Sequence, residues 1–309
     1  MKLIHVIESQ QFTLPMLMEL FARVPEMDKI VKRGGTGDYS QKIMASLFYE
    51  PSTRTRFSFE SAMLRLGGKV MTTEQAAQFS SASLGEALED TIQVVGHYAD
   101  VIVLRHNEAG AAGRAAAVST IPIINAGEGK GGGQHPTQAL LDLYTIFNEL
   151  NTLDGLKIAM VGNLADGRTV RSLSYLLGKF ERVRIWFVAP AGLQMKDDML
   201  EYLAERNVWY AVETDLQKVL PEIDVVYVTR IERERFEGND KKFEQLTRQN
   251  YFDKSTMEKL PSHAIVMHPL PRIGEIAKEV DGDRRAAYFR QTRNGVLVRM
   301  ALLAWVLEG

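Results

Sequence analysis

Short runs rich in valine and isoleucine alternate with helix-periodic stretches along nearly the whole chain, and this alternation limits the fold more than any other feature. The apolar runs cover 43–49, 101–104, 122–125, 157–162, 183–189, 208–212, 224–229 and 264–267. Strands so short and so apolar suit a parallel sheet covered by helices on both faces. Helical stretches lie between them at 55–66, 85–97, 136–150, 169–180 and 197–205. Ahead of them, 14–32 carries Leu17, Leu20, Phe21, Val24 and Met27 as one apolar stripe, and 294–307 closes the chain. Repeated βαβ units of this kind predict an α/β fold built on mostly parallel sheets.

With 309 residues, and roughly 150 per domain, two domains are expected. The stretch 149–155 (ELNTLDG) follows a long helix and precedes a fresh strand, so the first domain is read as 1–150 and the second from 151 on. The closing helix fits either. Lys plus Arg number 37 against 39 Asp plus Glu, a net charge of −2, which offers no electrostatic reason to expect nucleic acid or an anionic membrane as partner. There is no cysteine, which excludes disulfides, thiolate nucleophiles, Cys-ligated zinc and Cys-held iron–sulfur clusters. No window approaches the ~18 apolar residues of a membrane span. The first apolar run is broken at His5 and Glu8, too early for a signal peptide. The expectation is a soluble cytoplasmic protein.

Ligands of open α/β sheets bind beyond the carboxyl ends of the strands, so the residues just after each strand carry the functional signal. After the first run come Glu50-Pro51-Ser52-Thr53-Arg54-Thr55-Arg56 and a helix. A helix N-terminus with three hydroxyls and arginine forks is an anion site; the bland alternative is an ordinary N-cap with solvated arginines. Arg105-His106 follows the second run. The third is followed by the glycine-rich stretch 127–133 and then His135-Pro136-Thr137-Gln138, an imidazole, a hydroxyl and an amide able to polarise a carbonyl. In the second half, Arg168, Arg230 and His268-Pro269-Leu270-Pro271-Arg272 occupy the same kind of position. Arg168 and Arg230 could bind a dicarboxylate, or could form ordinary surface ion pairs. Gly162 is followed by Asn163 and Leu164, so no dinucleotide fingerprint exists, and Gly129-Lys130 is followed by Gly131, so there is no P-loop. H-E-x-x-H and G-x-S-x-G are also missing. Anion chemistry is what remains: phosphate in one half, carboxylates in the other.

Taken together, Ser52-Thr53-Arg54-Thr55-Arg56, His135-Pro136-Thr137-Gln138 and His268-Pro269-Leu270-Pro271-Arg272 resemble the aspartate/ornithine transcarbamylase family over essentially the whole length. The His-Pro-Thr-Gln form, Gly167-Arg168-Thr169-Val170 and Thr229-Arg230 resemble its aspartate carbamoyltransferase catalytic chains. The resemblance implies two α/β domains, 1–150 plus 292–309 holding carbamoyl phosphate and 151–291 holding L-aspartate, with the last helix crossing back to the first. It implies carbamoyl transfer to aspartate in pyrimidine synthesis, with no metal or organic cofactor. It further implies a homotrimer with active sites shared between subunits, and in some members regulatory chains. Ser52, Thr53, Arg54 and Thr55 would hold the phosphate; Arg105, His135 and Gln138 the carbamoyl end; Leu270 and Pro271 would touch it through backbone; Arg168 and Arg230 would hold the carboxylates of aspartate. Arg54, Thr55, Arg105 and His135 would be the catalytic set.

Three positions depart from the family pattern. Where a neighbouring subunit's mobile loop should supply a serine and a lysine, this chain has Ser80 and Leu84. Losing that cation could cost ~3 kcal/mol, or roughly a hundredfold in rate. Glu232 stands where glutamine is usual, with Arg233 and Arg235 as candidate partners. The loop before His135 is longer than usual and carries Lys130, a candidate replacement for the missing lysine. Leu84 and Glu232 keep open a different amine acceptor, or a weakly active paralogue acting as a binding subunit.

Overall fold

A computed structural model describes residues 3–76, 85–129, 132–231 and 251–308. Ser80, Leu84, Lys130, Glu232, Arg233 and Arg235 lie outside the described residues. The chain divides into two compact units, Met1–Tyr144 with Arg293–Gly309, and Thr145–Thr292.

The first unit holds a four-stranded sheet of β1 (Ile43–Phe48), β2 (Lys69–Glu74), β3 (Val101–Arg105) and β4 (Ile123–Asn125), in the order β2-β1-β3-β4 and parallel throughout. Its helices are α1 (Leu14–Lys32), α2 (Thr53–Arg65), α3 (Leu88–Gly96) and α4 (Ala111–Val118). The predicted stripe of α1 is buried in full, and Thr13 caps the helix by accepting from the Met16 amide. The α5 helix (Pro136–Leu150) starts in this unit and ends in the next. Two elements escaped the sequence reading. The β2 strand (KVMTTE) is a mostly exposed edge, so it needs no valine-rich run. The α4 helix (AAGRAAAV) is nearly all alanine and glycine, whose small side chains give little periodic contrast.

The second unit holds β5 (Lys157–Val161), β6 (Arg184–Val188), β7 (Trp209–Glu213), β8 (Val225–Val228) and β9 (Ile265–Met267), in the order β7-β6-β5-β8-β9 and again parallel. Helices α6 (Arg168–Leu177), α7 (Asp197–Glu205) and α8 (Lys254–Met257) belong to it. Strands β8 and β9 are buried along their whole length, while the edge β7 is partly exposed. Single parallel bridges seal the buried edges: Val6 pairs with Ile124 on β4, and Ala286 with Val266 on β9.

The last helix, α9, runs Tyr288–Glu308 and so starts earlier than its apolar run suggested. Its larger part belongs to the first unit, as the resemblance implied. There the buried Arg299 donates through Nη1 to Ser58 Oγ on α2 at 2.7 Å and lies over the Phe59 ring. At its end Glu308 pairs with Arg23 of α1 at 2.7 Å. Among the described residues no helix is long and apolar enough to cross a membrane.

Candidate active site

Both sheets reverse their winding at one place. In the first unit the chain leaves β1 for β2 on one side, and β3 lies on the other; in the second, β5 and β8 flank the same kind of reversal. Such a switch point opens a crevice beyond the strand ends. Of the residues singled out from sequence, Ser52–Thr55 follow β1 and Arg105 ends β3, the strands that flank the first reversal, and Arg168 and Arg230 follow those that flank the second.

The strand tips of the first unit are level. Phe48 lies opposite Arg105 and Leu104 opposite Asn125. The Tyr49 amide donates to the Arg105 carbonyl at 2.9 Å, and the Ala126 amide to the Leu104 carbonyl at 2.7 Å. Beyond β1, Ser52 takes the N-cap position of α2, yet its side chain makes no capping hydrogen bond. A serine kept as a simple cap would accept from a first-turn amide. That leaves the first-turn amides and the helix dipole as an anion-binding feature. Thr53 and Arg54 are exposed on this turn, and Thr55 is buried. Arg56 is not part of the cluster: its guanidinium pairs with Glu74 at 3.0 Å and approaches Glu60 at 3.8 Å.

Arg105 is buried at the end of β3. It donates through Nη2 to Glu50 Oε2 at 3.2 Å and through Nη1 to the Ala126 carbonyl at 3.3 Å. Gly127 explains how a buried arginine and histidine share this corner. Its φ is +115°, and a methyl group there would lie 2.7 Å from Arg105 Nη1 and 3.2 Å from His135 Cδ2. Only glycine lets the guanidinium and the imidazole close over the backbone. The His135 carbonyl accepts the Gln138 and Ala139 amides, both at 3.1 Å, so His135 stands at the start of α5. Gln138, half-buried one turn in, donates through Nε2 to Asp142 Oδ1 at 2.8 Å.

Two residues that sequence reasoning passed over hold the glycine-rich stretch in place. Buried Glu128 accepts the Ala112 amide at 2.8 Å and the Gly110 amide at 3.2 Å, capping α4 from a distance. Gln134 accepts the Ser9 amide at 2.9 Å and donates to Gln10 at 2.7 Å. A lone carboxylate among glycines was the available signal.

At the second switch point, Gly162 has φ +116°, and a methyl group there would lie 2.3 Å from the Thr229 carbonyl oxygen. The Thr229 amide and hydroxyl both donate to the Val161 carbonyl, at 2.7 and 2.9 Å. The tips of β5 and β8 are thus locked side by side. Arg168 opens α6 after β5, and Arg230 follows β8 after Thr229; both are half-buried. Tyr227 lies opposite Met267, which brings the 268–272 stretch to the same sheet edge.

His268 builds its loop. Its Nδ1 accepts the Leu270 amide at 2.7 Å, so Nε2 carries the proton and donates to Glu275 Oε1, also at 2.7 Å. Glu275 Oε2 accepts the Ile273 amide at 2.7 Å. Leu270 is held at φ +50° ahead of a cis peptide to Pro271. Arg272 is engaged by Asp281 and Tyr288. Burial works to raise the Glu275 carboxyl, but the hydrogen bonds from His268 and from backbone amides outweigh it and hold the carboxyl below its ordinary value. A depressed carboxylate adds stability above its unfolded pKa and loses it as the pH falls through the folded one. Glu275→Gln keeps an acceptor for His268 and sets a donor against the Ile273 amide. The expected loss at pH 7 is about 2 kcal/mol. The variant should also destabilise less than the parent on acidification from neutral pH to below about 4, which urea midpoints at the two pH values measure.

Each switch point therefore carries fixed cations and hydrogen-bond donors suited to anions: hydroxyls, arginines and an imidazole at the first, two arginines at the second. Among the described residues no group of three or more His, Asp or Glu side chains is placed to hold a metal ion. Comparison with known proteins agrees with this division. Residues 4–148 match the family model for the aspartate/ornithine carbamoyltransferase carbamoyl-P binding domain, and 154–306 that for its Asp/Orn binding domain. The chain is 52% identical over 316 residues to the chloroplastic aspartate carbamoyltransferase of Oryza sativa subsp. japonica, covering 100% of this chain and 86% of that protein. Its structure is similar to the catalytic subunit of M. jannaschii aspartate transcarbamoylase, with 43% identity, a TM-score of 0.93, and coverage of 99% and 98%. It is also similar to aspartate transcarbamoylase from Trypanosoma cruzi in complex with N-(phosphonacetyl)-L-aspartic acid, with 39% identity, a TM-score of 0.91, and coverage of 99% and 96%. The chain belongs to the aspartate/ornithine carbamoyltransferase family.

Proposed function

We infer that the chain transfers the carbamoyl group of carbamoyl phosphate to the amine of L-aspartate, giving N-carbamoyl-L-aspartate and phosphate, a step toward pyrimidines. The observation that carries this reading is the meeting of Arg105 and His135 over Gly127, at the switch point beside the α2 N-terminus.

The donor is held by the unit built on β1–β4, read as 1–150 plus 292–309. Ser52, Thr53, Arg54 and Thr55 bind the phosphate at the α2 N-terminus. Arg105, His135 and Thr55 bind the carbamoyl oxygen, and Gln138 with the Leu270 and Pro271 backbone binds the amide end. The acceptor is held by 151–291, where Arg168 and Arg230 take the two carboxylates. The neutral amine attacks the acyl carbon, the carbonyl oxygen gathers charge, and the C–O bond to phosphate breaks as the carbonyl re-forms. Fixed positive charge around that oxygen and the departing phosphate lowers the barrier. Binding both reactants on one enzyme removes the entropy cost of their encounter. The proton shed by the amine leaves with the phosphate, so no protein nucleophile or cofactor takes part.

The resemblance extends this reading to a homotrimer whose sites are shared between subunits, a neighbour contributing Ser80 and Leu84; some members of the family also bind regulatory chains. The compartment read from sequence is the cytoplasm, whereas the rice relative is described as chloroplastic. Incubating the purified chain with carbamoyl phosphate and a panel of amino acids tests the activity. N-Carbamoyl-aspartate should be the dominant product by mass spectrometry. Preference for another amine, or donor binding without turnover, would overturn it.

A further inference from the structure

The hydrogen bond between Gln138 and Asp142 has an ordinary reading as a pair one turn apart on a helix. Its surroundings are not ordinary. Asp142 is fully buried, and Arg299 on α9 is buried as well. A methyl group on Gly295 would lie 3.2 Å from Leu141 Cδ2 and 3.3 Å from Arg299 Nη1, so the guanidinium passes the face of α9 on which Leu141 of α5 packs. Burial pulls the Arg299 guanidinium down to about 10, and the charge of Asp142 acts in the opposite direction. Arg299 is itself held by Ser58 and stacked on Phe59, both on α2. The charge of Arg299, held on α2, therefore acts on the carboxylate that takes the amide of Gln138.

A carboxylate accepts hydrogen bonds and donates none. It therefore fixes which end of the Gln138 amide it takes, and that end is the NH2 group. The carbonyl Oε1 is left as the outward end. We propose that Asp142, backed by Arg299, is a positioning residue that locks Gln138 with its oxygen toward the donor and so selects an acyl phosphate bearing an NH2 group. The proposal rests on the reading that Gln138 meets the amide end of carbamoyl phosphate. Acetyl phosphate is nearly the same shape but has a methyl group in place of the amine. An acceptor at Gln138 rewards the first and leaves the second unpaired.

Asp142→Asn reverses the lock. The positive charge of Arg299 favours the new amide's oxygen on its side, so the NH2 faces Gln138 and turns Gln138 Oε1 inward. A donor then meets a donor at the carbamoyl end. The KM for carbamoyl phosphate should rise about tenfold, while the inhibition constant of acetyl phosphate changes less than twofold and the KM for aspartate stays put. Asp142→Asn should have no further effect on the acetyl-to-carbamoyl ratio in a Gln138→Ala background. Should the single variant fail to fold around an unmatched Arg299, Asp142→Asn with Arg299→Gln removes the stranded charge and is put through the same assay. Equal shifts for both acyl phosphates, or an undiminished effect in the Gln138→Ala background, would mean that Asp142 only supports the fold, and the proposal falls. A parent that makes no carbamoyl-aspartate overturns the proposed function instead, so the two failures are told apart.

Discussion

Replacing Arg54 with alanine is expected to lower kcat about a thousandfold while leaving thermal stability and the KM for aspartate nearly unchanged. The argument rests on position. Arg54 is exposed on the first turn of α2, where helix amides and the Ser52 and Thr53 hydroxyls already favour an anion. In the ground state several of these groups share the phosphate, so losing one changes binding modestly. In the transition state the bridging oxygen takes up the electrons of the breaking C–O bond, and a guanidinium beside it gains most at that moment. Removing one preorganised donor to a developing anion costs about 10²–10³ in kcat. An exposed residue away from the core contributes little to folding, commonly within about 0.5 kcal/mol. Arg54→Lys separates the two properties involved. It restores charge without the planar fork and should recover only part of the loss. Steady-state kinetics and thermal melts on the three proteins decide the matter. A kcat within fivefold of the parent for Arg54→Ala would remove Arg54 from the chemistry.

How far the sequence anticipates this site depends on whether the needed partner is local. The strand runs around 43–49, 157–162 and 224–229 were legible because buried parallel strands must be apolar on both faces, and the residues after them pointed to the sheet edge where ligands bind. Arg54 and Arg56 looked alike in sequence, two residues apart behind the same strand. What separates them is Glu74, which takes Arg56 and sits on β2, the exposed edge strand whose polar composition hid it. Arg272 likewise looked like a site arginine until the fold brought Asp281 to it. Glu128, Asp142 and Glu275 were passed over for a related reason. Each does its work by accepting from a group placed by the fold or by the next helical turn, and a single carboxylate in a string carries no sign of that. A charged residue such as Asp142, set among Leu140, Leu141 and Leu143 and fully buried, is the signal that spacing alone offered.

At the second switch point the expected result concerns the acceptor alone. Arg230→Ala should raise the KM for aspartate about a hundredfold and leave the affinity for carbamoyl phosphate within twofold. Arg230 directly follows Thr229, whose amide and hydroxyl are both tied to Val161, so its backbone is fixed by the β5–β8 pairing. A guanidinium on so rigid a base meets a carboxylate with little ordering left to do, and a charge-assisted, two-pronged contact of that kind contributes about 3 kcal/mol, or roughly a hundredfold in affinity. The donor site proposed above is built beyond β1, β3 and β4, on α2 and the start of α5 and on the Leu270 and Pro271 backbone, none of which includes this residue. The loss should therefore fall on one substrate. It should also be selective by charge: the preference for aspartate over asparagine should shrink if Arg230 takes the side-chain carboxylate, and be unchanged if it takes the one beside the amine. Initial-rate measurements with each amino acid at saturating carbamoyl phosphate give both answers. A KM for aspartate that moves less than threefold would show that Arg230 does not hold the diacid and would leave that role to Arg168.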